Sequence, residues 1–387
     1  MIQKNNTTEK IYETDSHCKE FTAAVLRCEK TDNGWETVLD RTAFFPEGGG
    51  QGCDTGTLND IPVRDVQEKG NEIVHYTDIA LPEGCTVTGR LDWEQRFERM
   101  QGHSGEHIVS GLIHTRYGLD NVGFHLGSED ITLDFNGTLT REQLDEIEEA
   151  ANRAVWMNLP ILAEYPSPEE LEKLDYRSKL ELTENVRIVT IPGYDLCACC
   201  APHVKNTGEI GLIKLLDCIR YKGGVRIHML CGQRAMRDYR TKYTQAAAIA
   251  VRLSAKTNEI DPAVSRLEEE ISAYKQEISS LKKELINLRA STLPQTQGNL
   301  VLFNPIPDKS LLRDFANAAL PCCTEICAVF WGDDAIGWQY VLASTKTDLR
   351  PFAKAFNAAL NGKGGGSADM ISGNVKATQT EIEHYFK

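Results

Sequence analysis

The stretch Met100-Gln101-Gly102-His103-Ser104-Gly105-Glu106-His107 constrains this chain more than any other. It lies in a run from Trp93 to Tyr117 whose Phe97, Met100, Ile108 and Leu112 recur at three- and four-residue steps without a proline, which predicts a helix. Two histidines four apart on a helix project from one face, one turn above the other, so their imidazoles can converge on a point. Far along the chain, Cys197-Ala198-Cys199-Cys200-Ala201-Pro202-His203 offers sulfur and imidazole nitrogen in a turn-like setting. Two His plus a Cys and a His make a zinc-type donor set. Each cluster alone has an ordinary explanation, because paired histidines arise by chance in helices and neighbouring cysteines pack as small thiols. Together they demand a fold that brings residues 103 and 203 to one place.

The rest of the composition is that of a globular chain. Its 387 residues favour two to three domains, with 41% hydrophobic and 25% charged content. No run approaches the eighteen or so apolar residues that a transmembrane helix needs. Met1-Ile2-Gln3-Lys4-Asn5-Asn6 lacks an apolar signal core, so a cytoplasmic location is expected. Twelve cysteines in such a chain read as thiols and metal ligands rather than disulfides. A net charge of −14 argues against nucleic-acid binding driven by overall charge, although a local basic face at Arg220, Lys222 and Arg226 stays open beside the plainer reading of a solvated strand.

The pattern along the chain predicts an α+β protein in four segments. Residues 1–92 hold short runs of strand formers between Gly, Asn, Asp and Pro turns, which suggests a small β-barrel. Within it Thr42 to Gln51 carries Gly48, Gly49 and Gly50, which permit a tight turn or a close backbone approach. Residues 93–235 alternate helices and strands around the two donor clusters. In residues 236–294, Val264, Leu267, Ile271, Tyr274, Ile278, Leu281, Leu285 and Leu288 alternate three- and four-residue steps, an a/d seam that predicts a coiled-coil helix. A helix over 237–255 would precede it, making a hairpin, and the seam could close within the chain or on a second subunit. Residues 295–387 predict a small α/β domain ending in a glycine-rich loop, Asn361-Gly362-Lys363-Gly364-Gly365-Gly366. That loop could cradle phosphate but lacks P-loop spacing.

At this point the sequence resembles the long form of the freestanding alanyl-tRNA editing proteins, relatives of the editing half of alanyl-tRNA synthetase. Four ordered phrases carry the likeness: Thr42 to Gln51 (TAFFPEGGGQ), Arg99 to His107 (RMQGHSGEH), Cys199 to Gly211 (CCAPHVKNTGEIG) and Arg220 to Gly232 (RYKGGVRIHMLCG). Gly362 to Met370 resembles a signature of the synthetase's C-terminal domain. The resemblance implies hydrolysis of serine or glycine from mischarged tRNA-Ala, in trans, since no aminoacylation domain precedes the barrel. It aligns His103, His107, Cys199 and His203 with a zinc ligand set, and Thr42 with a hydroxyl contact that recognises serine. It makes the Gly48–Gln51 loop and Arg220, Lys222 and Arg226 candidates for substrate contact. It also implies tRNA-binding support and homodimer formation through the coiled coil or the C-terminal domain. Two departures stand out: Cys200-Ala201-Pro202 replaces the family's Gly-Gly-Thr, and Glu106 stands where a neutral residue is more common.

Ester hydrolysis needs an activated water and a stabilised oxyanion. Three zinc ligands leave a site for that water, whereas four close it and require a separate base, for which Glu106 and His125 are the sequence candidates. Two other readings remain at this stage. His103-Ser104-Gly105-Glu106-His107 satisfies the H-x-x-E-H pattern of an inverted zinc protease. A non-catalytic zinc protein associated with tRNA or with the synthetase would also carry such a site.

Overall fold

The computed structural model describes residues 7–32, 34–178 and 186–387, so the N-terminal reading over 1–6 lies outside it. The chain divides into two compact units, Met1–Ala246 and Ala247–Lys387.

In the first unit, strands β1 (Glu20–Thr31), β2 (Gly34–Leu39), β3 (Gly56–Leu58), β4 (Ile61–Lys69), β5 (Glu72–Thr77) and β6 (Thr86–Leu91) close into a barrel in the order β1-β2-β5-β4-β3-β6. Period-two patterning places the side chains: Phe21, Ala23 and Val25 of β1 and Val87 and Leu91 of β6 alternate inward. They meet Leu39, Leu58, Val63, Val66 and Ile73 in one apolar core.

Helix α1 (Trp93–Tyr117) follows with the predicted bounds. Asp92 caps its first turn by accepting from the Gln95 N–H, and Gly118 ends it at φ 64°. Next come β7 (Asn121–Leu126), β8 (Ile131–Phe135), α2 (Arg141–Met157), β9 (Leu162–Glu164), β10 (Ile188–Ile191), β11 (Asp195–Ala198), β12 (Ile213–Tyr221), β13 (Gly224–Cys231) and α3 (Gly232–Arg252). Strands β12-β13-β8-β7 form an antiparallel sheet, and β9-β10-β11 a smaller one. Thr140 and Gln143 make a capping box at the start of α2. Met100, Ile108 and Leu112 of α1 and Leu144, Ile147 and Val155 of α2 share a core with Leu133, Ile213 and Ile227 of the larger sheet.

Two features tie α1 to its surroundings and so fix the donors it carries. Arg96 and Asp54 form an ion pair with both side chains almost wholly buried, and Asp54 also accepts from the Phe45 N–H at 2.7 Å. This pins the segment leading to Gly48–Gln51 against the helix. A pair so buried costs about 3–5 kcal/mol to break from one side. Gly111, one turn beyond His107, lies where a Cβ would meet the Tyr194 carbonyl oxygen at 2.2 Å. Its missing side chain lets the turn before β11 approach α1 closely.

In the second unit, α4 (Ile260–Ser291) precedes β14 (Leu300–Phe303), α5 (Leu312–Ala319), β15 (Cys327–Asp333), β16 (Gly337–Ala343), α6 (Leu349–Ala359), β17 (Gly362–Gly366), β18 (Met370–Val375) and α7 (Gln379–Tyr385). The sheet runs β14-β15-β16-β18-β17. Alternating residues split it into two faces. Ile286 of α4 and Phe315 of α5 pack on Val329 and Val341, while Phe356 of α6 and Ile382 of α7 pack on Phe330 and Tyr340.

Local predictions needed correction here. The break between the two helices, read from the sequence over Asn258 to Pro262, lies between Arg252 and Ile260, and Pro262 falls inside the first turn of α4, where a proline loses no hydrogen bond. The glycine-rich run expected as a loop is instead the edge strand β17, paired with β18 from Gly362↔Val375 to Gly366↔Ile371. A Cβ at Gly364 would meet Ser372 O and Tyr340 Oη, each at 2.4 Å, so only glycine lets the strands and the ring approach. Among the described residues, no helix is long and apolar enough to cross a membrane.

Candidate metal centre

The two clusters singled out in the sequence meet. His103 and His107 of α1 and Cys199 and His203 of the segment after β11 bring one donor atom each to within 4.8 Å of one another. Cys199 Sγ lies 3.6 Å from His103 Nε2 and 3.4 Å from His203 Nε2. A tetrahedral ion with bonds of about 2.3 Å to sulfur and 2.05 Å to nitrogen would set sulfur and nitrogen about 3.6 Å apart. The donor set and its spacing therefore fit zinc.

Each imidazole is oriented by what its other nitrogen touches. His103 Nδ1 lies 3.0 Å from Gln51 Oε1, His107 Nδ1 donates to Asp195 Oδ2 at 2.8 Å, and His203 Nδ1 lies 3.1 Å from Ser104 Oγ. Fixing the proton on Nδ1 leaves the Nε2 lone pair for a cation. Asp195 is held in turn by Arg177, whose Nε and Nη2 donate to its two oxygens at 2.7 and 2.9 Å.

Protonation follows from these contacts. Burial alone would raise the Cys199 thiol, but His103 beside it holds it well below the usual thiol range, as a thiolate. Burial pushes His203 down to about 3, leaving it neutral. Burial would also lower His107, but the Asp195 carboxylate and Cys199 hold it well above the ordinary histidine value, so a cation binding at Nε2 would displace a proton there.

A cavity of about 840 Å³ opens beside the cluster, lined by His103, Glu106, His107, Phe124, Arg187 and Cys197 to Ala201, among others. Glu106 is almost fully buried. Its Oε1 accepts from Ser110 Oγ and Asn121 Nδ2, each at 2.7 Å, and its Oε2 lies 3.8 Å from His107 Nε2. Phe124 stands 4.7 Å from the His103 ring, centroid to centroid. Cys197 borders the same cavity, and burial pushes its thiol up to about 11, so it stays protonated. Burial likewise raises exposed-edge Cys200 to about 11.

The other candidates divide. Gly49 lines the cavity, while Gly48, Gly50, Gln51 and His125 border a separate depression of about 700 Å³. Gly50, at φ +83°, sits where a Cβ would meet Phe124 O at 2.5 Å, and its carbonyl accepts from the Leu126 N–H. The glycine run thus docks on β7 and delivers Gln51 to His103. His125 is exposed and does not line the cavity beside the donors.

Thr42 does not line that cavity either. It is fully buried in the barrel, where its hydroxyl donates to His75 Nε2 at 2.8 Å and accepts from the Phe44 N–H at 3.1 Å. The hydroxyl's one proton and one of its two acceptor lone pairs are used. Arg220, Lys222 and Arg226 gather at the β12–β13 hairpin end, away from the cavity lining. Arg226 is committed there to Asp134, at 2.6 and 2.8 Å, and to the Tyr221 ring at 3.8 Å.

Sequence reading missed Asp195, Ser104, Asn121 and Phe124. A signal for Asp195 existed: Asp195, Cys197 and Cys199 alternate along an extended segment, which puts all three on one side. Nothing local marked Asn121 or Phe124, whose roles depend on β7 lying alongside α1.

Sequence comparison finds relatives of this chain. Residues 2–95 match the family model described as tRNA synthetases class II (A), and residues 186–228 match the threonyl and alanyl tRNA synthetase second additional domain. The chain is 30% identical to the alanyl-tRNA editing protein AlaX-L of Pyrococcus horikoshii, over 97% of this chain and 96% of that one. It is 28% identical to the alanyl-tRNA editing protein Aarsd1 of Rattus norvegicus, over 94% and 93%. It is 31% identical to an alanine–tRNA ligase of Pyrobaculum neutrophilum, over 95% of this chain and 43% of the ligase.

Proposed function

The chain belongs to the alanyl-tRNA editing family, and from that premise we propose that it is a trans-acting deacylase that hydrolyses serine, and more slowly glycine, from mischarged tRNA-Ala. The observation that carries this reading is the His103, His107, Cys199 and His203 cluster opening directly onto a cavity that also holds a gripped carboxylate. His103, His107, Cys199 and His203 would hold one zinc ion, which supplies a fixed positive charge to orient the aminoacyl group. Four protein donors leave no open position for a water, so the base is a protein side chain.

Glu106 fills that role. Ser110 and Asn121 hold its carboxylate still beside the donors, while it faces the cavity. It takes a proton from water as the water oxygen bonds to the ester carbonyl carbon. The tetrahedral adduct then expels the ribose oxygen of the tRNA end, and the protonated Glu106 returns the proton to that leaving oxygen. The products are a free amino acid and an uncharged tRNA. The inverted-protease reading leaves Cys199 and His203 without a purpose, although they complete the same donor set.

A deacylation assay on Ser-, Gly- and Ala-tRNA-Ala, with and without a zinc chelator, tests the proposal. Serine should be released fastest and alanine spared, with chelator abolishing release. Equal rates with and without protein would instead favour a non-catalytic zinc protein.

A further inference from the structure

The cavity beside the donors is larger than an amino acid needs. A seryl group would fill a small part of its volume of about 840 Å³, whereas pockets of about 300–1,000 Å³ ordinarily enclose ligands of drug size. Its wall carries three lysine or arginine side chains, Lys10, Arg177 and Arg187, and they differ in what they hold. Arg177 gives Nε and Nη2 to Asp195, and Lys10 lies 2.6 Å from Glu68 Oε1 and 3.8 Å from Glu13 Oε1. Arg187 is only 6% exposed, yet its partners among the described residues are all carbonyls: Nη1 donates to Cys199 O and Ala201 O, each at 3.0 Å, and Nη2 reaches Glu13 O at 3.4 Å. Its Nε–H has no acceptor. A buried guanidinium that meets only carbonyls keeps its full charge, and such a charge is costly unless a ligand brings its opposite.

We propose that Arg187 and Tyr165 seat the last nucleotide of the tRNA, the guanidinium meeting the phosphodiester that joins this nucleotide to the chain and the tyrosine ring receiving its base. Only on the deacylase reading is the occupant a tRNA end, whereas the unpaired guanidinium stands whatever fills the space.

The chemistry fits at both ends of a nucleotide. Arginine matches phosphate because its N–H groups form a planar fork, and here Nε lacks an acceptor while Nη2 holds only the long contact to Glu13. Tyr165 follows β9 and lines the same cavity. Its hydroxyl donates to Glu13 Oε2 at 2.7 Å, which fixes the ring in the wall, and at 52% exposure the ring keeps surface free for a base. Every base has a flat face, so an aromatic ring holds it without reading its identity. Arg187 and Tyr165 meet at the same residue, one on the Glu13 carbonyl and the other on its carboxylate. The carboxylates of Glu13 and Glu68 are drawn to Lys10 rather than to Arg187, which leaves the guanidinium for an incoming anion. With base and phosphate held, the ribose that bears the ester is the part left to reach the donors and Glu106. Because every tRNA ends in the same adenosine, this seat supplies affinity and register, not a choice among tRNAs.

Calorimetric binding to the zinc-loaded full chain tests the seat with two probes: the dinucleotide CpA, which carries the terminal phosphodiester, and its uncharged methylphosphonate analogue. Wild type should bind CpA about tenfold more tightly than the analogue. Arg187→Gln should erase that gap and Arg187→Lys should keep most of it, with zinc content by elemental analysis reporting whether the Cys199 loop still holds. Should both Arg187 variants lose zinc, the wild-type comparison and Tyr165 decide: Tyr165→Ala should weaken CpA about tenfold, and Tyr165→Phe by less than about threefold. Equal wild-type affinity for CpA and the analogue, or CpA binding unmoved by Tyr165→Ala, would overturn the seat even if Ser-tRNA-Ala is hydrolysed. CpA binding with this pattern but no hydrolysis would support the seat and fault the deacylase reading instead.

Discussion

The barrel core and the metal centre both bury histidine, and they use it in opposite ways. His75 gives both nitrogens to the protein: Nδ1 donates to the Thr37 carbonyl at 3.2 Å, and Nε2 accepts from the Thr42 hydroxyl at 2.8 Å. His103, His107 and His203 each give up Nδ1 alone, to Gln51, Asp195 and Ser104. In His103 and His203 the other nitrogen faces the Cys199 sulfur. Ring centroids of the three lie between 4.6 and 5.5 Å apart. A histidine whose two nitrogens are both consumed by fixed partners belongs to the framework. Three that each withhold one nitrogen, turned toward a common thiolate, form a site, because unpaired buried lone pairs are tolerated only where a ligand will satisfy them.

That contrast can be broken most forcefully at Glu106, the carboxylate nearest the withheld nitrogens. Glu106→Gln keeps size and shape but cannot take a proton. We expect kcat for Ser-tRNA-Ala to fall about 10²–10⁴-fold, with zinc content by elemental analysis unchanged. Near-wild-type turnover with full metal loading would remove Glu106 from the chemistry.

The framework half predicts a pH effect. Burial pushes His75 from 6.5 down to about 4, so on acidification the unfolded chain takes up this proton first. The stability this site contributes is whole above pH 6.5 and is lost as pH falls toward 4, in total about 3 kcal/mol. Denaturant titrations of wild type and His75→Gln across that window should show a shallower acid decline in the variant. Parallel curves would mean that His75 is not held neutral by the fold.

The smallest effect sharpens the boundary between the two kinds of histidine. Asp195→Asn keeps an oxygen for His107 Nδ1–H but removes the charge that Arg177 and His107 share. Zinc affinity, measured by competition with a chromophoric chelator, should fall about 10–100-fold. The barrel should melt as in wild type. An unchanged affinity would show that His107 needs no oriented partner.

How much of this was legible beforehand depends on range. Helix α1 could be read to its ends, because its apolar period, its Asp92 cap and its Gly118 stop are all local. The pairing of Cys199 with His203, and of His103 with His107, was legible for the same reason, since a four-residue step on a helix or a tight loop fixes direction. Thr42 shows the opposite case. The resemblance marked it as a substrate contact, and the structure shows its hydroxyl bonded to His75 and to the Phe44 N–H, partners that only barrel closure supplies. The glycine run 362–366 was likewise read as a loop, because pairing with β18 is a non-local event.

The sequence by itself determined the donors, the helix that carries two of them and the apolar seam of α4, since each is written in steps of three, four or seven residues. Tertiary structure alone decided that the donors converge, which acceptors fix their protons, and that Tyr165 and Arg187 line the same cavity. Those outcomes rest on contacts between residues far apart in the chain, whose energies depend on packing and burial that no local spacing encodes.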